Sequence, residues 1–103
     1  MEEKDISFRI AKLRTLKDVS AREMSLAIGQ NESYINHIET GQGMPSIAGL
    51  LYICEYLNIT PKDFFDMDNP NPGKIGSITE DLKSLTADEL DAVAVIVKAL
   101  KNK

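Results

Sequence analysis

The side chains best suited to bond-making chemistry in this 103-residue sequence are one histidine, His37, one cysteine, Cys54, and a large supply of carboxylates. A protein-built metal centre needs several His, Cys or carboxylate ligands at coordinating intervals. One His, no second Cys and no H-E-x-x-H spacing do not supply them. Neither G-x-G-x-x-G nor G-x-x-x-x-G-K-[ST] occurs; Gly41 and Gly43 bracket one residue and run into Met44-Pro45. The carboxylates are expected on helix surfaces, where solvation is the ordinary reading. Cys54 is expected to be a small buried hydrophobe. The expectation is therefore a protein that is not an enzyme, with no metal, no cofactor and no small-molecule ligand.

Composition narrows the remaining classes. Hydrophobic residues make up 43% and charged residues 27%, ordinary for a globular chain. A single cysteine permits no internal disulfide, which fits a reducing cytoplasm. The longest apolar run, Ala92 to Val97, is six residues, far short of the ~20 a bilayer requires. The opening Met-Glu-Glu-Lys-Asp does not resemble a secretory leader. A cytoplasmic protein without membrane contact is expected. The formal net charge of −4 counts, as a total, against a nucleic-acid partner.

The punctuation of the chain predicts an all-α fold. Ile6, Ile10 and Leu13 give a first helix its apolar stripe. Ser20, with Glu23 three residues on, predicts a capping box opening a short second helix that Gly29 ends. Asn31 is expected to cap a third helix carrying Ile35 and Ile38 inward and ending at Gly41. Ser46 opens a fourth, with Ile47, Leu50, Leu51, Ile53, Cys54 and Leu57 as its apolar face. Thr60-Pro61 opens a fifth, whose Phe64 and Phe65 are expected to close the core. No stretch alternates like a strand. Residues 1–66 thus read as one domain, 67–77 as a Pro- and Asn-containing linker, and 78–103 as a C-terminal helical segment. In that segment Thr86 and Glu89 form a further capping box.

The succession Arg9-Ile10, Leu13-Arg14, Val19-Ser20, Glu23-Met24-Ser25, Ile28-Gly29, Ser33-Tyr34-Ile35, Ile38-Glu39-Thr40-Gly41, Pro45-Ser46, Leu50, Ile53, Leu57, Ile59-Thr60 and Phe64-Phe65 resembles the Cro/CI-type, or XRE-family, helix-turn-helix domain. The likeness is collinear from about residue 6 to residue 66. It implies a five-helix phage-repressor-like domain with a C-terminal helical appendage. It also implies sequence-specific binding of double-stranded DNA, with the helix 32–40 in the major groove.

By this resemblance Glu32, Ser33, Asn36 and His37 are the base-contacting candidates. Their chemistry suits direct readout, because Asn can pair with an adenine edge and Glu can accept from cytosine N4. Arg9, Ala21, Arg22, Asn31, Tyr34 and Gln42 are the candidates for the DNA backbone. Arg14 and Glu39 fall where phage repressors hold a buried ion pair, and are read as structural. Three positions depart from the family pattern: Ala21 where Gln is common, polar Gln30 where an apolar residue is usual, and neutral Gln42 in a loop that is often basic.

Charge is unevenly distributed. Residues 4–22 carry six bases against two acids, a balance of +4, and residues 23–66 one base against six acids, a balance of −5. That distribution predicts few phosphate contacts and modest monomer affinity, which favours a homodimer. Val93, Ile96, Val97 and Leu100 are the expected dimer contacts. The expected role is a transcriptional regulator, most simply a repressor. The alternative is a protein-interaction module or antirepressor-like accessory protein that keeps the fold without DNA binding, a reading favoured by Ala21, Glu32 and the overall acidity.

Overall fold

Helix boundaries in the computed structural model, which describes residues 1–103, fall where side chains or left-handed residues satisfy free backbone groups. The first helix, α1 (Glu3–Lys17), ends at Asp18, whose φ is 61°. Ser20 precedes α2 (Ala21–Ala27), and its hydroxyl accepts the Glu23 N–H at 3.0 Å. Glu23 does not return the bond, so this capping box is half made. Gly29, at φ 78°, then turns the chain.

The third helix, α3 (Tyr34–Glu39), is shorter than the helix 32–40 expected, because residues 32 and 33 form a turn ahead of it. The cause is local. Asn31 commits its side-chain oxygen to the Ser33 N–H at 3.0 Å, an Asx turn, and so does not cap the helix. Ser33 occupies the cap position without a side-chain bond.

Ser46 caps α4 (Ile47–Leu57) through the Gly49 N–H, and Asn58 closes it at φ 57°. Thr60 caps α5 (Pro61–Phe65) through the Asp63 N–H, with Pro61 at the first position, where no donor is needed. Two further helices follow, α6 (Pro72–Leu82) and α7 (Ala87–Lys101). Thr86 and Glu89 complete a reciprocal capping box on α7, with bonds of 2.8 and 3.2 Å. The chain is all-helical, with no strand.

The chain divides into two units, Met1–Pro72 and Gly73–Lys103. In the first, Ile10, Leu13, Met24, Ile35, Ile38, Ile53, Cys54 and Phe64 form one core drawn from all five helices. Burial pushes the Cys54 thiol above its ordinary value, which suits a protonated, apolar side chain. Phe65, expected beside Phe64 in the core, is instead exposed and meets it edge to face at 5.1 Å. Consecutive residues of a helix diverge by ~100°, and on this five-residue helix only Phe64 of the pair turns into the core. Ile47 and Leu51 likewise lie on the exposed side of α4.

Residues 67–77, expected as a linker, divide differently. Asn69 and Pro72 are buried, and residues from Pro72 onward are already helical. What ties this stretch down is Arg9. Its Nε donates to the Phe64 carbonyl at 2.7 Å, and its two terminal nitrogens donate to the Asn69 and Asp63 carbonyls at 2.8 Å each. Two of these carbonyls, of Asp63 and Phe64, lie in the last turn of α5, where the helix dipole favours a cation; that of Asp63 also accepts the Asp66 N–H at 3.3 Å. In the second unit α6 and α7 bring no hydrophobic side chain to full burial; Leu82, Leu85 and Val93 are half-buried.

Candidate functional site

The junction of α2 and α3 turns on one small side chain. Ser25 is fully buried; its hydroxyl donates to the Ala21 carbonyl at 2.7 Å and accepts from the Ile35 N–H at 3.0 Å. The first-turn amide of α3, which has no partner in its own helix, is thereby bonded to α2. A larger side chain at Ser25 would push the two helices apart. On their buried sides Met24, Ile35 and Ile38 enter the common core, which fixes the faces left outside.

Two further ties hold α3. Arg14 of α1 grips Glu39 with both ends of its fork, at 2.7 and 2.9 Å, and donates its remaining arm to the Val19 carbonyl at 2.8 Å. The hydrogen bond from Glu39 raises the Arg14 pKa above its ordinary value, against the opposing effect of burial. Tyr34 packs toward α4: a Cβ at Gly49 would stand 2.5 Å from its hydroxyl oxygen, so glycine makes room for the phenol. Burial raises the phenol pKa. Its hydroxyl, expected at a phosphate, lies against the first turn of α4.

The four residues expected to read bases are all exposed. Glu32, Ser33 and Asn36 line a shallow groove with Ala21 and Arg22, and His37 follows Asn36 on the outer side of α3. Glu32 and Arg22 form an ion pair at 3.1 Å across this groove, with side chains 62% and 71% exposed respectively. The family likeness assigns the two separate roles, Glu32 to a base and Arg22 to a phosphate. Ten positions and a turn separate them, so no helical spacing could have paired them. Asn31 and Gln42 are exposed, and Gln42 donates its amide to the Thr40 hydroxyl at 2.8 Å.

Arg9 is the correction in the backbone set. It was expected to face phosphate, but it is 3% exposed and each of its three guanidinium nitrogens donates to a carbonyl of residues 63 to 69. No local signal marks this use, since an arginine on an amphipathic first helix looks the same whether it clamps a carbonyl cluster or meets solvent. The basic cluster of residues 4–22 is correspondingly less free than its balance of +4 suggests. Lys4 pairs with Glu2, Arg14 with Glu39 and Arg22 with Glu32. Lys17 lies 5.1 Å from the centre of the Tyr56 ring. Lys12 remains exposed and outside any ion pair.

No group of three or more His, Cys, Asp or Glu side chains is placed to hold a metal ion. No helix is long and apolar enough to cross a membrane. A helix-turn-helix family model matches residues 10–64, more than half of the chain, from the middle of α1 into α5. No curated protein and no solved structure matches the chain.

Proposed function

The chain belongs to the Cro/CI-type helix-turn-helix family of DNA-binding regulators, and on that premise we propose that it is a sequence-specific repressor reading operator DNA with α3 and the turn before it. The observation that carries this reading is the buried Ser25 hydroxyl. It bonds α3 to α2 at 3.0 Å while Glu32, Ser33, Asn36 and His37 stay exposed on the other side. Asn36 pairs with an adenine edge, Ser33 serves as donor or acceptor, Glu32 accepts from cytosine N4, and His37 donates to a guanine edge.

Arg22, Asn31, Gln42 and the backbone at Ala21 hold the flanking phosphates. The Arg22–Glu32 pair gives this surface a selective character. On unrelated DNA the guanidinium stays with its carboxylate, which weakens attraction to phosphate. At a matching site Glu32 turns to a base and Arg22 is released to the backbone. Two copies, joined through Val93, Ile96, Val97 and Leu100, place their reading surfaces ~34 Å apart on a pseudo-palindrome.

Selection of sites from random duplex DNA by the full chain tests the reading. Enrichment of a two-fold related motif is expected. His37→Ala should relax the preference at its base position, while Arg22→Ala should leave that preference unchanged, weaken the matching site and lower its salt slope by ~1. Equal effects of the two substitutions would overturn this division of roles. No enrichment at low salt, with the protein folded, would assign the chain to a protein-interaction role instead.

A further inference from the structure

We propose that a pocket on the outer face of α1 binds a small monocarboxylate with an apolar body, its carboxylate at Lys12 and its body against Phe8, Met1 and Met67. The pocket lies within the first unit and measures about 490 Å³, inside the ~300–1,000 Å³ range of small-molecule sites. Asp5, Phe8, Arg9 and Lys12 of α1 line it, together with Met1 and Met67. The sequence alone points to no small-molecule ligand, because Met67 joins α1 only through the fold. Of these residues only Arg9 was a DNA candidate, and its guanidinium is spent on carbonyls.

The first ground is apolar surface gathered in one place. At ~100° per residue, Asp5, Phe8 and Lys12 share a sector about 60° wide, turned away from the core that Ile10 and Leu13 enter. Phe8 is 66% exposed and Met1 74%, and half-buried Met67 lines the same pocket. Single exposed apolar residues are ordinary, but three that converge on one concavity mark a binding surface. An aromatic ring and two thioethers adapt to flat or flexible apolar groups. The Met67 wall is formed in advance. Its N–H donates to the Phe65 carbonyl at 3.0 Å, and Arg9 holds the Asn69 carbonyl two residues on at 2.8 Å.

The second ground is charge. Three ionic side chains line the pocket, and two are already engaged. The guanidinium nitrogens of Arg9 donate to carbonyls, and the Asp5 carboxylate accepts the Glu2 N–H at 2.7 Å in the cap of α1. Lys12 is exposed and outside every ion pair, so it is the cation left for a ligand. Its stem lies along apolar surface while the ammonium meets the anion. Asp5 stands two turns back, ~10 Å along the helix axis from Lys12. A second negative charge on the ligand would be set toward Asp5, which selects a monoanion over a dianionic phosphate.

Methyl NMR of the full-length chain tests the site, because its methionines report separately. Met1 and Met67 line the pocket, whereas Met24 is in the core and Met44 packs against it. With phenylbutanoate as the probe, the methyls of Met1 and Met67 should shift saturably and those of Met24 and Met44 should stay. The neutral amide of the same probe should bind about five-fold more weakly, the worth of one exposed ion pair. Lys12→Gln should abolish that difference, and Phe8→Ala should weaken acid and amide alike. Both positions are exposed, so neither change opens the core. Equal binding of acid and amide by the unaltered chain would overturn the role of Lys12. Absence of a saturable shift at Met67 would overturn the site. Shifts of Met67 that follow protein concentration without the probe would give the pocket to a second copy and overturn the small-molecule assignment. None of these results bears on the DNA reading, which the selection experiment decides.

Discussion

The two units of this chain draw their order from opposite sources. In Met1–Pro72 the helices include some of five, six and seven residues, lengths that do not persist in isolation. α3 even lacks a side-chain cap bond, yet Ile35 and Ile38 are sealed in a core shared with Met24, Ile53 and Phe64. In Gly73–Lys103 the situation is inverted. α7 has fifteen residues, a complete capping box, acids in its first turn and lysines in its last, and it buries no side chain. The reading surface is thus held by long-range contacts, and the C-terminal helix by local ones. A surface proposed to present four side chains at fixed positions needs the first kind of support, whereas capping alone accounts for the second.

The contrast is broken most forcefully at Arg9. Arg9→Ala removes a buried donor and leaves the carbonyls of Asp63, Phe64 and Asn69 without it. The expected loss is roughly 3–5 kcal/mol from the unfolding of the first unit, measured by urea titration. A loss below about 1 kcal/mol would show that water replaces the clamp. Next comes Ser25→Ala, which strands the Ile35 N–H. About 1–3 kcal/mol should be lost, and DNA affinity should fall although no DNA-facing atom has changed.

Arg14→Met should cost about 1–2 kcal/mol, moderated by the partial exposure of the pair. A double-mutant cycle with Glu39→Met should recover much of it, because no lone charge then remains. Thr86→Ala sharpens the comparison from the other side. It should cost about 1 kcal/mol in α7, seen as lost helical ellipticity, with the unfolding of the first unit unmoved.

Acid should act weakly, at the same cap. The backbone hydrogen bond from Thr86 holds the Glu89 carboxyl below the usual carboxylate range. Its contribution is therefore present above the ordinary value and lost as pH falls through the depressed one. Titration of helical ellipticity should show fraying of α7 in that acid window and not above it.

The caps at Ser20, Ser46, Thr60 and Thr86 were legible because each is a local event within three residues. The inward stripe of Ile10, Leu13, Ile35, Ile38 and Ile53 followed from helical spacing. The onset of α3 is not legible in the sequence because Asn31 can serve either as a helix cap or in an Asx turn, and the two uses look alike there. The four exposed residues at and before α3 were named from the family likeness, since a polar helix face has no periodicity of its own.

The sequence by itself determined the all-α class, the boundaries of most helices and the family, because these depend on capping chemistry and periodicity over a few residues. Only the tertiary structure decided the use of the charges: Arg9 on carbonyls more than fifty positions away, Arg14 on Glu39, and Arg22 on Glu32. A guanidinium on a long stem reaches whatever acceptor the fold brings near. Which acceptor that is depends on how the helices pack, and no local pattern in the chain encodes it.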